Sequence, residues 1–164
     1  MRETYCSSFG VQLEVDAVVA AIITFMKEDP KRTYKIIIGT DSQGMADKTA
    51  DFVNAIVVHR VGRGGRYFWR RMDDKSKYHT LRDRIIHEVM ISLEAAHILL
   101  AELKKQETVD LIPQWEFEIH ADVGANGPTN ALIQEVVGMI RANNFEVKTK
   151  PESYAASSVA DRHT

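Results

Sequence analysis

Cysteine is almost missing from the 164 residues: Cys6 stands alone. That excludes an internal disulfide and a thiolate zinc cluster, and it suits a reducing compartment, so a cytoplasmic location is expected. Glycine and proline are few, 9 and 4, so the chain is neither low-complexity nor linker-rich. Positive charge is not in excess. Lys and Arg number 21 against 23 Asp and Glu, a net charge of −2, which excludes a uniformly basic protein that coats nucleic acid. The longest apolar run, Ala17 to Met26, is broken by Thr24 and too short to span a bilayer, and the first ten residues hold no apolar signal core. What remains is a chain 45% hydrophobic, of a length suited to one domain over residues 1–164, with an ordinary core.

Hydrophobic spacing orders the chain. Val11, Val15, Val18, Val19, Ile22, Ile23 and Met26 recur every three or four residues and predict an amphipathic helix ended by Asp29-Pro30, so residues 1–30 are expected to be a helical extension. Its apolar stripe is suited to cover a sheet or a second subunit in a homo-oligomer. Tyr34-Lys-Ile-Ile-Ile-Gly39 reads as a buried strand, and Thr40-Asp41-Ser42-Gln43-Gly44 leaves its C-terminal end. Phe52 to Val61 and Tyr67 to Met72 read as two more strands joined by the turn Gly62-Arg-Gly-Gly65. Leu81 to Lys105 has no Gly or Pro and reads as the longest helix. Trp115 to His120 alternates as a strand, Thr129 to Asn143 follows as a helix, Phe145 to Thr149 as a short strand, and a closing helix is expected from Tyr154. Three hairpin-linked strands followed by two β-α units predict an α/β fold. Its expected form is one five-stranded mixed sheet with helices on both faces and an extra N-terminal helix.

Four carboxylates occupy telling places in that order: Asp41 after the first strand, Glu88 in the long helix, Asp122 after the fourth strand and Asp161 in the last helix. If the first and fourth strands lie side by side and parallel, their C-terminal ends bring Asp41 and Asp122 to one sheet edge. Glu88 sits beside the apolar stripe of its helix, where a carboxylate needs a partner. Converging carboxylates suit Mg²⁺ or Mn²⁺, and two such ions can stabilise the attacking and leaving oxygens of phosphodiester cleavage. The bland alternatives are a turn-capping Asp41 and a Glu88 paired with Arg84 on a solvated helix. His87-Glu88 begins like a zincin motif, but Ile91 stands where its second histidine belongs. His120 and His163 flank the expected site as candidates for proton transfer.

The set IGTDSQ, LRDRIIHEV, IHADVGANGP and KPESYAASSVADRHT resembles the bacterial YkuK-like family of predicted RNase H-like nucleases, over roughly residues 34 to 164. The resemblance implies an RNase H-like fold and a divalent-metal-dependent nuclease. It implies that Asp41, Glu88, Asp122 and Asp161 are the catalytic carboxylates that hold two Mg²⁺ or Mn²⁺ ions. No basic helical extension of the kind that grips hybrid duplexes follows the long helix, so RNA, DNA and hybrid all stand as substrates.

From Arg60 to Arg84 nine basic residues face three acidic ones, leaving +6 there and −8 elsewhere. Tyr67, Phe68, Trp69 and Tyr78 interleave with these cations, a mixture that tracks a phosphate backbone while stacking bases. Arg66, Arg70 and Arg71 are the expected nucleic-acid contacts, against the alternative of a charge-protected edge strand. The rival to a nuclease is a non-catalytic nucleic-acid-binding or scaffold protein. A sugar- or acetate-kinase-like ATPase is disfavoured, because one domain of this length cannot form a two-domain ATP cleft and no Walker A sequence occurs.

Overall fold

The Ile36-Ile37-Ile38 run forms the middle of the sheet, since three consecutive buried side chains require a strand hidden on both faces. In the computed structural model, which describes residues 3–107 and 112–153, this run lies in β3 (Tyr34–Gly44). β4 (Ala50–Arg60) and β5 (Gly65–Asp74) follow as antiparallel neighbours through the predicted glycine turn. β6 (Trp115–His120) lies on the other side of β3 and runs parallel to it, and β7 (Glu146–Lys148) is parallel to β6.

The sheet has seven strands, not the expected five. Thr4–Ser7 (β1) and Gln12–Glu14 (β2) pair as a hairpin, and β1 adds to β5 by pairing Cys6 with Trp69 and Ser7 with Phe68. The order is β2-β1-β5-β4-β3-β6-β7. The expected helical extension is therefore corrected: α1 runs from Val15 to Glu28, and Val11 lies outside it. The cause is a local turn that competes with helix. Ser7 Oγ accepts the N–H groups of Phe9 (3.2 Å) and Val11 (3.1 Å), and Gly10 takes a φ of +82°, a left-handed conformation that side chains resist. For the same reason β5 is not an edge strand, because β1 covers it at Phe68 and Trp69.

α2 (Leu81–Gln106) opens at Thr80, whose side chain accepts the Asp83 N–H. The predicted helix from Thr129 is shorter: a single 3-10 turn at Asn130–Leu132 precedes α3 (Ile133–Ala142). All three helices share one core with one face of the sheet, through Val18, Ile22, Ile85, Leu99, Val136 and Ile140 against Ile36, Ile38, Ile56 and Ile119. Truncating a side chain of this core, such as Ile38 or Leu99, costs about 2–5 kcal/mol. Among the described residues no helix lies on the opposite face. The expected closing helix, with Asp161 and His163, lies outside the described residues. No described helix is long and apolar enough to cross a membrane.

Candidate active site

The parallel pairing that the site requires is present. Gly39 of β3 stands opposite His120 of β6, so Asp41 and Asp122, two residues further along each chain, come out at the same end of the sheet. Beyond His120 the chain keeps company with the segment after β7. The Ala121 N–H donates to the Lys148 carbonyl (2.9 Å) and the Lys150 N–H to the Val123 carbonyl (2.8 Å).

Helix α2 is held on this end by matched spacings. Glu88 and Ser92, one turn apart, span about 6 Å. Thr40 and Ser42, two strand residues apart, span about 6.6 Å and point to the same face. Ser92 Oγ lies 2.7 Å from Thr40 Oγ1, and Ser42 Oγ donates a short hydrogen bond to Glu88 Oε1. The polar row continues across the sheet: Asn54 Nδ2 donates to Thr40 Oγ1 (3.0 Å) and Tyr5 OH donates to Asn54 Oδ1 (2.7 Å). Tyr5, Thr40, Asn54, Glu88 and Ser92 are buried and Ser42 is half-buried, and burial pushes the Tyr5 phenol up to about 12. Sequence reasoning missed this row. Its signal was Thr40 and Ser42 two apart on the strand and Glu88 and Ser92 four apart on the helix.

Glu88 is 5% exposed. Burial pushes its carboxyl well above the usual carboxylate range, and the charges of Asp41 and Asp122 push the same way. The Ser42 hydrogen bond and the Arg84 guanidinium oppose them. Arg84 does not pair with Glu88 on a solvated face. Its Nη1 lies 3.4 Å from the Ser42 carbonyl. Glu88 and Asp122 border a cavity of about 10 Å³, the room of roughly one water, lined also by Thr40, Ser92 and His120. Asp122 Oδ1 is 2.9 Å from Lys150 Nζ.

The strand pleat separates the carboxylates. Because Thr40 and Ser42 face α2, Asp41 points to the opposite face of β3, the one that carries Asp51 and Arg71. Glu88 thus feels the charge of Asp41 across the strand end without forming one shell with it. Among the described residues no three His, Cys, Asp or Glu side chains are gathered closely enough to hold an ion. The carboxylates and hydroxyls that line the cavity, Glu88, Asp122, Thr40 and Ser92, offer oxygen donors, the chemistry that a hard cation takes.

His120 is buried with Nε2 2.8 Å from Glu118 Oε1, and burial lowers its basicity. Lys35 Nζ stands 3.9 Å from the same carboxylate. The three expected arginines do not form one patch, because alternation sends Arg66 and Arg70 to one face and Arg71 to the other. Arg70 Nη1 is bound to Glu3 (2.8 Å) with 17% of its side chain exposed, and its guanidinium lies over the Tyr5 ring. Arg71 is bonded to Asp51. Arg66 is exposed, lies over the rings of Phe9 and Phe25 and has no carboxylate partner among the ion pairs of the described residues.

A β-meander, a parallel β6 on its first strand, and carboxylates on β3, α2 and the end of β6 form one architecture, and the Ribonuclease H-like family model matches residues 17–164. The chain belongs to the Ribonuclease H-like family. Within it, the chain is 37% identical over 161 residues to the uncharacterized protein YkuK of Bacillus subtilis (strain 168), covering 93% of this chain and 92% of that protein. This supports the resemblance read from the IGTDSQ and IHADVGANGP segments. No solved structure matches the chain. In this RNase H-like chain the β1–β2 hairpin precedes the matched span and extends the sheet beyond β5.

Proposed function

We propose that this RNase H-like chain is a Mg²⁺- or Mn²⁺-dependent nuclease that hydrolyses phosphodiester bonds in nucleic acid, working as one domain. The observation that carries this reading is Glu88: a buried acid, raised by burial and by Asp41 and Asp122, at the shared end of β3 and β6. A structural carboxylate in such a place would be matched by a cation. Glu88 has only a hydroxyl and the more distant Arg84.

Glu88 and Asp122, which line one cavity, are the proposed inner ligands, and Asp41 at the strand end and Asp161 from beyond the described residues are the further carboxylates that the reading recruits. A bound divalent ion supplies Lewis acidity toward a phosphoryl oxygen and water acidified enough to attack. The chain's own part is preparation. The Ser42 hydroxyl fixes the Glu88 carboxyl, and the Thr40–Ser92 bond fixes the helix that carries it. Without an ion the Glu88 carboxyl favours keeping its proton, which leaves when positive charge arrives. Arg66 is the arginine best placed to meet a phosphate backbone, since Arg70 and Arg71 are engaged by Glu3 and Asp51.

The engagement of Asp122 by Lys150 favours a second reading, a non-catalytic nucleic-acid-binding protein on the same fold. Labelled single-stranded, duplex, hybrid and junction substrates, incubated with Mg²⁺ or Mn²⁺, separate the two. The nuclease reading expects metal-dependent cleavage of at least one substrate by the wild type and none by Asp41→Asn. Binding without cleavage under every metal condition supports the second.

A further inference from the structure

The β1–β2 turn holds an aromatic ring out in water. Phe9 is 78% exposed, a placement that the hydrophobic effect opposes. The turn that presents it is fixed all the same: the Ser7 hydroxyl accepts the N–H groups of Phe9 and Val11, and the Ser7 N–H donates to the Val11 carbonyl (2.8 Å). Beside the ring lies a cavity of about 330 Å³ lined by Leu13, Phe25, Phe68 and Arg66. The Arg66 guanidinium lies over both rings, 5.8 Å from the centroid of Phe9 and 4.9 Å from that of Phe25. Stacking uses the flat face of a guanidinium and leaves N–H donors at its edge.

Charge around this cavity has one sign left over. Arg63 in the adjoining turn is exposed, as Arg66 is, and from Arg60 to Met72 the chain holds no acid. Glu28, the carboxylate that borders the cavity, faces Arg60 at 3.7 Å. An exposed ring beside an uncompensated guanidinium matches a single strand, whose bases can stack on the ring while a phosphate meets the cation. A blunt duplex keeps its base faces covered by their neighbours. A second copy of the chain, docked on this face by two-fold symmetry, would set Arg63 and Arg66 against their own counterparts, which like charge opposes. The cavity is also remote from the carboxylates: Arg66 stands opposite Val58 and Val58 opposite Ile36, five residues before Asp41, or about 16 Å along the strands.

We propose that Phe9 and Arg66 form a subsite for an unpaired nucleotide, base against the ring and phosphate against the guanidinium, so that the chain prefers nucleic acid with a single-stranded stretch. The inference rests on the nucleic-acid reading above and names its substrate class. The turn that carries Phe9 lies before the span matched by the family model, residues 17–164, so the subsite is an addition to the shared fold.

The test is fluorescence anisotropy with the full chain in chelator, where binding is read without metal-dependent cleavage. The probes are a labelled oligothymidylate, a strand of the same length made of abasic sugar phosphates, and a blunt duplex; the proteins are wild type, Phe9→Ala, Phe9→Trp and Arg66→Ala. Phe9→Ala should bind oligothymidylate about fivefold more weakly or worse, the lower end for one lost base stack, with its salt slope unchanged. Phe9→Trp should bind as wild type does, and Arg66→Ala should flatten the slope by about 0.7 on this single strand. The abasic strand and the duplex should bind Phe9→Ala and wild type alike. No loss on oligothymidylate in Phe9→Ala, or an equal loss on the abasic strand or the duplex, overturns the subsite, and cleavage by the wild type in Mn²⁺, measured separately, then still stands or falls by itself. Self-association of the wild type that Phe9→Ala abolishes, seen by sedimentation, gives the face to a second copy and overturns it too. Failure of the wild type to bind any of the three probes removes the nucleic-acid reading and the subsite together.

Discussion

Glu88→Gln should stabilise the metal-free protein, and only above the pH where an ordinary glutamate ionises. The substitution keeps the shape and a hydrogen-bonding partner for Ser42 Oγ but removes the charge that burial, Asp41 and Asp122 all disfavour. The sign follows from the raised carboxyl. The folded state binds this proton more tightly than the unfolded chain, whose glutamates titrate near ~4.3. The stability tied to it is therefore full below that pH and is lost progressively as pH rises through the higher folded value. Each tenfold gain in proton affinity on folding corresponds to about 1.4 kcal/mol, and a domain of this size moves its Tm by about 2–4 °C per kcal/mol. Melting curves in chelator should coincide for wild type and Glu88→Gln near pH 4. They should separate toward pH 8, with the variant higher by about 2 °C or more. Excess Mn²⁺ should reverse the order, because only the wild type keeps the full ligand set. A variant that melts lower than wild type at pH 8 in chelator, or by the same amount at every pH, would refute the account of Glu88 as an uncompensated buried acid.

Tyr5→Phe should destabilise the protein by about 1–3 kcal/mol, since it leaves the buried Asn54 Oδ1 without its donor; urea unfolding measures the loss, and no change would break the polar row from Tyr5 to Ser92. Arg66→Ala should flatten the salt dependence of nucleic-acid binding by roughly 0.7 to 0.9 in log–log slope, whereas Arg70→Ala should leave the slope unchanged and lower the Tm, because Arg70 holds Glu3 and covers Tyr5. Filter binding over a salt series, together with melting curves, reads both, and equal slope changes would undo the assignment of the two arginines to different work. Gly10→Ala should cost about 1–2 kcal/mol, as alanine must adopt a positive φ there; chemical denaturation with an undiminished midpoint would show that the β1–β2 turn is not as described.

Much of the scaffold was legible because periodicity reports burial. β6 falls on Trp115–His120 as its alternation predicts, α2 spans Leu81–Gln106 where no Gly or Pro interrupts, and the Gly62–Gly65 turn joins two antiparallel strands. The parallel β3–β6 pairing, from which the meeting of Asp41 and Asp122 was argued, is also present. The N-terminal hairpin was not legible. Its strands are four and three residues long, its turn depends on one serine hydroxyl, and its pairing with β5 joins residues some sixty positions apart. β3 runs on to Gly44 because its polar end pairs with β4, a partner that composition does not announce. The site divides in the same way. Which end of the sheet carries the acids follows from topology, but which face each acid takes depends on pleat parity once α2 is docked. That parity also scatters Arg66, Arg70 and Arg71. Lys150 lay within a recognised motif, yet its contact with Asp122 arises only from chain pairing beyond β7.

The measurement closest to the central claim is the anomalous scattering of a crystal of the full chain grown with millimolar MnCl₂. The account predicts a manganese peak at the shared end of β3 and β6, with carboxylate oxygens of Glu88 and Asp122, which line one cavity, within about 2.0–2.6 Å, the bonding range of hard divalent cations, and no such peak in Glu88→Gln crystals. Ordered density for both carboxylates with no manganese between them, or manganese bound only elsewhere, would contradict it.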